Sequence, residues 1–232
     1  KRNLMADEIV EQIRTVLEEV GISEKEALGI KKFQLMFMSM GEPFLNYDNL
    51  EKAIEKLAEI YPTAQLLVST SAPASIKTRF QDFINLSKKY EKVGIQFSVH
   101  ESTDENRKKL IPTNTSTLKE IAELGELWAF ETGRKPFYNY CVHLGNNTKD
   151  DATRLTEIFK PEVWETTLSV ICEKDESVKN SIERQLEIIS QFSREMVEKG
   201  ASIRVFNPAG QDDIGGGCGQ LWYFQKWLKE HK

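Results

Sequence analysis

Cysteine is scarce in this chain, with three in 232 residues at Cys141, Cys172 and Cys218. That excludes a disulfide scaffold, and tens of residues separate each from the next, which matches no zinc or iron–sulfur ligand spacing. An odd count in a domain of this size points to a reducing compartment, so the cytoplasm is the expected location. No apolar run approaches the roughly 18 residues of a spanning helix, and no signal-peptide pattern is present, so no membrane association is expected. A basic excess is missing too: 31 Lys and Arg stand against 36 Asp and Glu, a net charge of −5. This counts against a bare nucleic-acid-binding surface, although a local basic patch remains compatible with it. Linkers rich in Pro, Gly or Ser and low-complexity tracts are also absent, so a single domain over 1–232 is expected. The first residue is Lys1 rather than Met, which reads as a fragment or a processed product.

What is present is a regular alternation. Over 7–20, Ile9, Ile13, Val16, Leu17 and Val20 repeat at helical spacing, and Gly21 closes the segment. The apolar run 33–38 reads as a buried strand, broken by Gly41-Glu42-Pro43. Asn46 then caps a helix carrying Leu50, Ile54, Leu57 and Ile60. Strands are predicted at 65–70, 93–100, 137–144, 166–172 and 202–207. Helices are predicted over 75–89, on either side of Pro112, from 150, over the long segment bearing Ile182, Leu186, Ile189, Phe192 and Met196, and over 221–230. Six strands alternating with helices imply parallel strands with right-handed crossovers, in a barrel or an open doubly wound sheet. A strand preceding the first helix is expected upstream of Lys1.

In either architecture a ligand site sits at the carboxyl ends of the strands. Those ends read Gly41-Glu42, Ser69-Thr70, Ser98 and His100, His143, Cys172 and Asn207. Polar residues there also cap the helices that follow, so the signal lies in their number rather than in any one. Ser98 and His100, two apart on a strand, would share a face, but no Gly-x-Ser-x-Gly elbow surrounds the serine. His100, His143 and Glu42 have the chemistry of metal ligands, with nothing in the sequence to fix their geometry. Gly215-Gly216-Gly217-Cys218-Gly219 lacks the Gly-Lys-Ser/Thr ending of a phosphate loop. It reads as a flexible loop or as an accessible cysteine whose thiolate Asp212 and Asp213 would disfavour. The runs Arg107-Lys108-Lys109 and Lys88-Lys89 read as solvated helix faces, with phosphate contact the alternative.

Several segments are recognisable in order. Met38-Ser39-Met40-Gly41-Glu42-Pro43-Phe44-Leu45-Asn46-Tyr47-Asp48-Asn49 closely resembles the Gly-Glu-Pro segment of the radical S-adenosylmethionine (SAM) adenine methyltransferases. That family methylates carbon 2 of an adenine in 23S rRNA and tRNA, and a sister group methylates carbon 8. Ser98-Val99-His100, Arg107 and Leu110-Ile111-Pro112-Thr113-Asn114 are similar to its Ser-Leu-His segment and the Met-Pro-Ile-Asn continuation. Asp212-Asp213-Ile214-Gly215-Gly216-Gly217-Cys218-Gly219-Gln220-Leu221 resembles its Asp-Asp-Ile-Asp-Ala-Ala-Cys-Gly-Gln-Leu, and Lys1-Arg2-Asn3-Leu4 the residues just after its cluster loop.

The resemblance implies a partial (βα)6 barrel of the radical SAM type. It implies that Gly41 and Glu42 hold the SAM amino group, that Ser69, Ser98, Val99 and His100 contact the rest of SAM, and that Cys172 stands at a further SAM contact. Cys218 matches the cysteine that accepts a methyl group from one SAM before a radical formed from a second activates it. A [4Fe–4S] cluster is implied as well, with its Cys-x3-Cys-x2-Cys ligands outside this chain, so the chain alone is expected to be inactive. The implied partners are an RNA substrate and an electron donor such as flavodoxin or ferredoxin. Departures are local. Cys172-Glu173 replaces the family's Asn-Pro, Glu101-Ser102-Thr103 its Ala-Pro-Asn, and Phe206-Asn207-Pro208 a basic segment. They leave open a divergent enzyme with another substrate, or a non-catalytic SAM-binding barrel.

Overall fold

The computed structural model describes residues 2–38, 41–169 and 178–206. The chain divides into two compact units. One holds the described residues up to Ser98 together with Thr113–Pro136. The other holds Val99–Pro112 and the described residues from Phe137 onward. In chain order the elements are α1 (Ala6–Glu19), α2 (Glu24–Ala27), β1 (Gln34–Phe37), α3 (Tyr47–Ile60), β2 (Gln65–Thr70), α4 (Phe80–Lys89) and β3 (Val93–Ser98). Then follow α5 (Asp104–Leu110), α6 (Leu118–Thr132), β4 (Phe137–Cys141), α7 (Lys149–Ile158), β5 (Glu165–Ser169), α8 (Val178–Glu198) and β6 (Ile203–Phe206). No helix among the described residues is long and apolar enough to cross a membrane.

In the first unit β1, β2 and β3 form a parallel ladder, with Met36 opposite Leu67 and Val68 opposite Ile95. Both faces of β2 and β3 are buried, as parallel strands between helices require: Leu66, Leu67, Val68, Ile95 and Phe97 are all in the core. β1, at the edge of this ladder, is only half-buried along its length, against the expectation of a buried strand. A short 3-10 helix, Pro43–Asn46, turns the chain from β1 into α3. Its Phe44 ring packs 5.5 Å from Phe83 and 5.6 Å from Tyr47, and Phe80 continues the cluster to Phe97. The loop after β1 is thereby seated on α4 and β3 by aromatic burial.

α1 turns a different face inward from the one predicted. Ala6, Val10 and Leu17 are buried, whereas Val16 and Val20 are 61% and 59% exposed. The buried residues follow an i, i+4, i+11 stripe that begins one residue before the predicted helix, which rotates the packed face. Asn46 does stand at the N-cap position of α3 but makes no capping hydrogen bond. Its side chain instead donates to Leu4 O at 2.8 Å and accepts from Asn49 Nδ2 at 2.9 Å. α6 is closed by Gly133 at φ 68°, where a Cβ would be strained. Arg134 then folds back, donating to Ser87 O at 2.6 Å and Val93 O at 2.7 Å, and to Glu91 O. Its guanidinium lies 4.8 Å from the Trp128 ring centre.

In the second unit β4, β5 and β6 form another parallel ladder, with Tyr140 opposite Leu168 and Thr167 opposite Arg204. Tyr138 stacks on Phe159 at 4.7 Å and Trp164 closes the cluster; Tyr140 stacks on Phe192 of α8 at 5.6 Å. On α8, Ile189, Phe192 and Met196 face the core as predicted, but Leu186 is exposed and Gln185 takes the buried position beside it. Two predicted strand ends run long: β3 stops at Ser98 and β4 at Cys141. The predicted helix over 221–230, Asn207 and the end of the strand predicted over 166–172 lie outside the described residues.

Candidate functional site

The loop after β1 presents Gly41 and Glu42. Gly41 sits at φ 97°, a conformation that side-chain-bearing residues rarely adopt. Next to it the half-buried Glu42 carboxylate accepts four hydrogen bonds. Oε1 takes Phe44 N–H at 3.1 Å and the Thr70 hydroxyl at 2.6 Å; Oε2 takes Ser71 N–H and the Ser71 hydroxyl, both at 2.8 Å. The Thr70 oxygen in turn accepts from Ala72 N–H at 2.9 Å, and Ala72 is held at φ 55°. All these donors are uncharged, so the cluster carries a full negative charge with no cation among the groups hydrogen-bonded to it. One residue before Thr70, Ser69 is buried at the end of β2 and accepts a long hydrogen bond, 3.5 Å, from Gln96 Nε2. Within this unit the structure therefore brings Glu42 together with the end of β2, through Thr70 and Ser71 rather than through Ser69.

Ser98 ends β3 and the first stretch of its unit; Val99 and His100 open the other. His100 does not share a strand face with Ser98, as its spacing suggested. The strand has ended, and His100 sits at φ 63° in the left-handed region. Val99 N–H and His100 N–H both donate to Asn139 O, at 3.0 and 3.2 Å. The Asn139 side-chain oxygen accepts from the Ser169 hydroxyl at 2.6 Å. His100 Nδ1 is shielded and has no hydrogen-bond partner, although the residue as a whole is partly exposed. Burial, helped by the Arg107 charge, pushes the imidazole down to about 4, so the ring is neutral at pH 7.

Arg107 corrects the reading of its run as a solvated face, being 2% exposed on α5. Burial lowers its pKa, and Asp104 opposes that shift. The segment 101–103 is equally integrated. Glu101 is buried and pairs with His143 at 2.9 Å. His143 Nδ1 accepts from Gly145 N–H at 3.0 Å, so Nε2 carries the proton toward the carboxylate. Ser102 donates to Asp151 and accepts from Arg154 Nε at 3.0 Å, while the Thr103 hydroxyl caps α5. Burial would raise the Asp151 carboxyl, but hydrogen bonds from Ser102, Thr148 and Arg154 outweigh it and hold the group below its usual range. The metal reading of His100, His143 and Glu42 gains no support: His143 is committed to Glu101, and among the described residues no three His, Cys, Asp or Glu side chains gather into a metal site. Cys172 and Cys218 lie outside the described residues.

Strand ends included Thr70 without joining it to Glu42, and gave no sign of Ser71 as a further partner of Glu42 or of Asn139 and Asn146 as partners of His100. Thr70 was adjacent to a predicted site residue, which is a signal; the asparagines sat in an ordinary strand and turn.

The chain is 29% identical over 224 residues to a probable dual-specificity RNA methyltransferase, RlmN, of Koribacter versatilis, covering 95% of this chain and 61% of that protein. It is 31% identical over 229 residues to the protein so named in Heliobacterium modesticaldum, covering 95% and 56%. It is 30% identical over 228 residues to that of Thermotoga petrophila, covering 95% and 61%. The chain thus spans about three fifths of the length of these curated relatives. A radical SAM methyltransferase structure from Sphaerobacter thermophilus superimposes with a TM-score of 0.71 at 24% identity, over 95% of this chain and 62% of that one. No protein-family model matches. The structural likeness selects the α/β partial (βα)6 barrel of the radical SAM type over an open doubly wound sheet. Similarity to proteins named RNA methyltransferase RlmN runs along 95% of the chain, and the radical SAM methyltransferase structure shares its fold.

Proposed function

We propose that this chain is the SAM-binding and methyl-accepting part of a radical SAM methyltransferase that modifies an RNA adenine, in 23S rRNA or tRNA, through a methylated Cys218. The observation that carries this reading is the Glu42 cluster, a carboxylate at a strand end surrounded by uncharged donors only. The relatives' name, RNA methyltransferase, supplies the substrate class.

The residues present fit SAM. Gly41 and Glu42 hold its ammonium group, the cation replacing hydroxyl donors of Thr70 or Ser71 on the carboxylate. The family resemblance assigns contacts with the remainder to Ser69, Ser98, Val99, His100 and Cys172. The shielded, unpartnered His100 Nδ1 is available to a polar group of the ligand, and the neutral ring adds no charge beside a sulfonium. SAM supplies an electrophilic methyl group. The Cys218 thiolate forms a new carbon–sulfur bond with it as the sulfonium bond breaks; the thiol proton passes to solvent, and S-adenosylhomocysteine is the leaving group. A [4Fe–4S] cluster is different: the chain's three cysteines lack the close spacing of cluster ligands, so these residues alone do not hold one. An electron donor such as flavodoxin or ferredoxin and a cytoplasmic setting belong to the same reading.

A second reading, a relative that methylates another acceptor, is favoured by Glu101, whose carboxylate and His143 partner place charge where the family has Ala. The test compares wild type and Cys218→Ala in the cluster-reconstituted enzyme, supplied with labelled SAM and separate rRNA, tRNA and protein pools. Label is expected on RNA adenine with wild type only, with reductive SAM cleavage retained by Cys218→Ala. Full methyl transfer by Cys218→Ala would overturn the role of Cys218, and label on protein alone would establish the second reading.

A further inference from the structure

Asn146 lies in the turn after β4, fully buried, with its side chain tied at both ends. Nδ2 donates to His100 O and to Cys141 O, each at 2.9 Å, and Oδ1 accepts from His143 N–H at 2.7 Å. An amide offers two donors and two lone pairs, and here three of the four are spent on main-chain groups of three different residues. Its own backbone is anchored as well: N–H donates to His143 O at 3.1 Å, and the carbonyl accepts from the Tyr140 hydroxyl at 2.7 Å. The residue takes over where the β4 ladder stops.

His100 needs such a neighbour. A residue with a Cβ at φ 63° is strained, and such a conformation persists only where the surroundings over-determine it. His100 N–H is fixed on Asn139 O and His100 O on the Asn146 amide, so both main-chain polar groups of this residue are held by β4 and its turn. We infer that Asn146 is the positioning residue of the Val99–His100 segment. Its amide holds the left-handed backbone at His100 and so sets how both residues meet SAM. This rests on the reading of Val99 and His100 as SAM contacts.

Two measurements on the whole chain test it. Asn146→Asp keeps the shape but turns an oxygen toward two carbonyls. It is expected to weaken SAM binding at least tenfold by calorimetry, and to speed amide exchange at Val99 and His100 at least tenfold, with the far-ultraviolet circular dichroism unchanged. Should that variant not fold, Asn146→Ser, which keeps one donor, carries the same comparison. The second measurement pairs Asn146→Ala with His100→Gly, because glycine takes this φ without strain. The melting-temperature loss from Asn146→Ala is expected to shrink by at least half when residue 100 is glycine, which a purely structural asparagine would not produce. Unchanged exchange at Val99 and His100, or an equal melting-temperature loss in both backgrounds, would overturn the inference. If the wild-type chain binds no SAM, the SAM reading fails, and the exchange and melting pair still decide the role of Asn146.

Discussion

The loop after β1 is organised around a carboxylate, the turn after β4 around an amide. Glu42 gathers two hydroxyls and two backbone N–H groups and gives its cluster a full negative charge. Asn146 bridges two carbonyls and one N–H and adds no charge, and the polar groups near it already have partners, Glu101 hydrogen-bonded to His143 and Asp151 paired with Arg154. The first arrangement is electrostatically incomplete, which suits it to the cationic ligand proposed above. The second is complete without a ligand, so it supplies a fixed shape.

Removing the charge from the first cluster is the sharpest way to break this contrast. Glu42→Gln keeps the size of the side chain but leaves one acceptor oxygen where there were two. We expect SAM affinity to fall about 100-fold, about 2.7 kcal/mol, with a lowered melting temperature. Calorimetric titration and a thermal scan check both. An affinity within twofold of wild type would remove Glu42 from the site.

Acid should act mainly on the second unit. The His100 imidazole is held down to about 4 in the fold, against about 6.5 in an unfolded chain. Between those values the unfolded chain binds the extra proton, so stability present above pH 6.5 is lost as the pH falls toward 4. The loss attributable to His100 should be about 2–3 kcal/mol, measured by urea unfolding across that range. His100→Gln should flatten this part of the profile, and an unaltered slope would place the acid sensitivity elsewhere.

The smallest effect sharpens the geometric side. A Cβ on Gly145 would lie 3.0 Å from His143 Cε1 and 3.1 Å from Nδ1. Gly145→Ala should therefore push the ring off Glu101 and cost about 1 kcal/mol, while His143→Ala in the same chain relieves the crowding. A double-mutant cycle on unfolding free energies reads this directly, and additive losses would mean that the ring moves aside freely.

Most elements were legible because burial writes a period into the sequence. The strand-like runs at 65–70, 93–100 and 137–144 located three strands, and the stripe Ile189, Phe192 and Met196 oriented α8. Strand ends were not legible, because β-like composition continues past the last ladder bond: Val99 and Val142 remain buried after their strands have stopped. The face of α1 was misread because Val16 and Val20 are apolar yet turned to solvent. In the site, Gly41 and Glu42 were visible from their motif. Asn146 was not, since Gly145-Asn146-Asn147 reads as any turn, and its partners lie up to 46 residues away. Arg107 was hidden likewise, in a run that looks solvated.

The return of the chain from Val99–Pro112 to complete the first unit with Thr113–Pro136 has a consequence for synthesis. The stretch up to Ser98 leaves the ribosome without α6 and without Arg134, whose guanidinium closes the carbonyls of Ser87, Glu91 and Val93 at the end of α4 and the start of β3. On the order of seconds of elongation separate the two events. During that interval the nascent chain carries α4 with its last carbonyls open and the apolar face that Trp128 will cover still wet. Any stall or proteolytic cut before Arg134 therefore yields a product with half its strands made and none of its units finished.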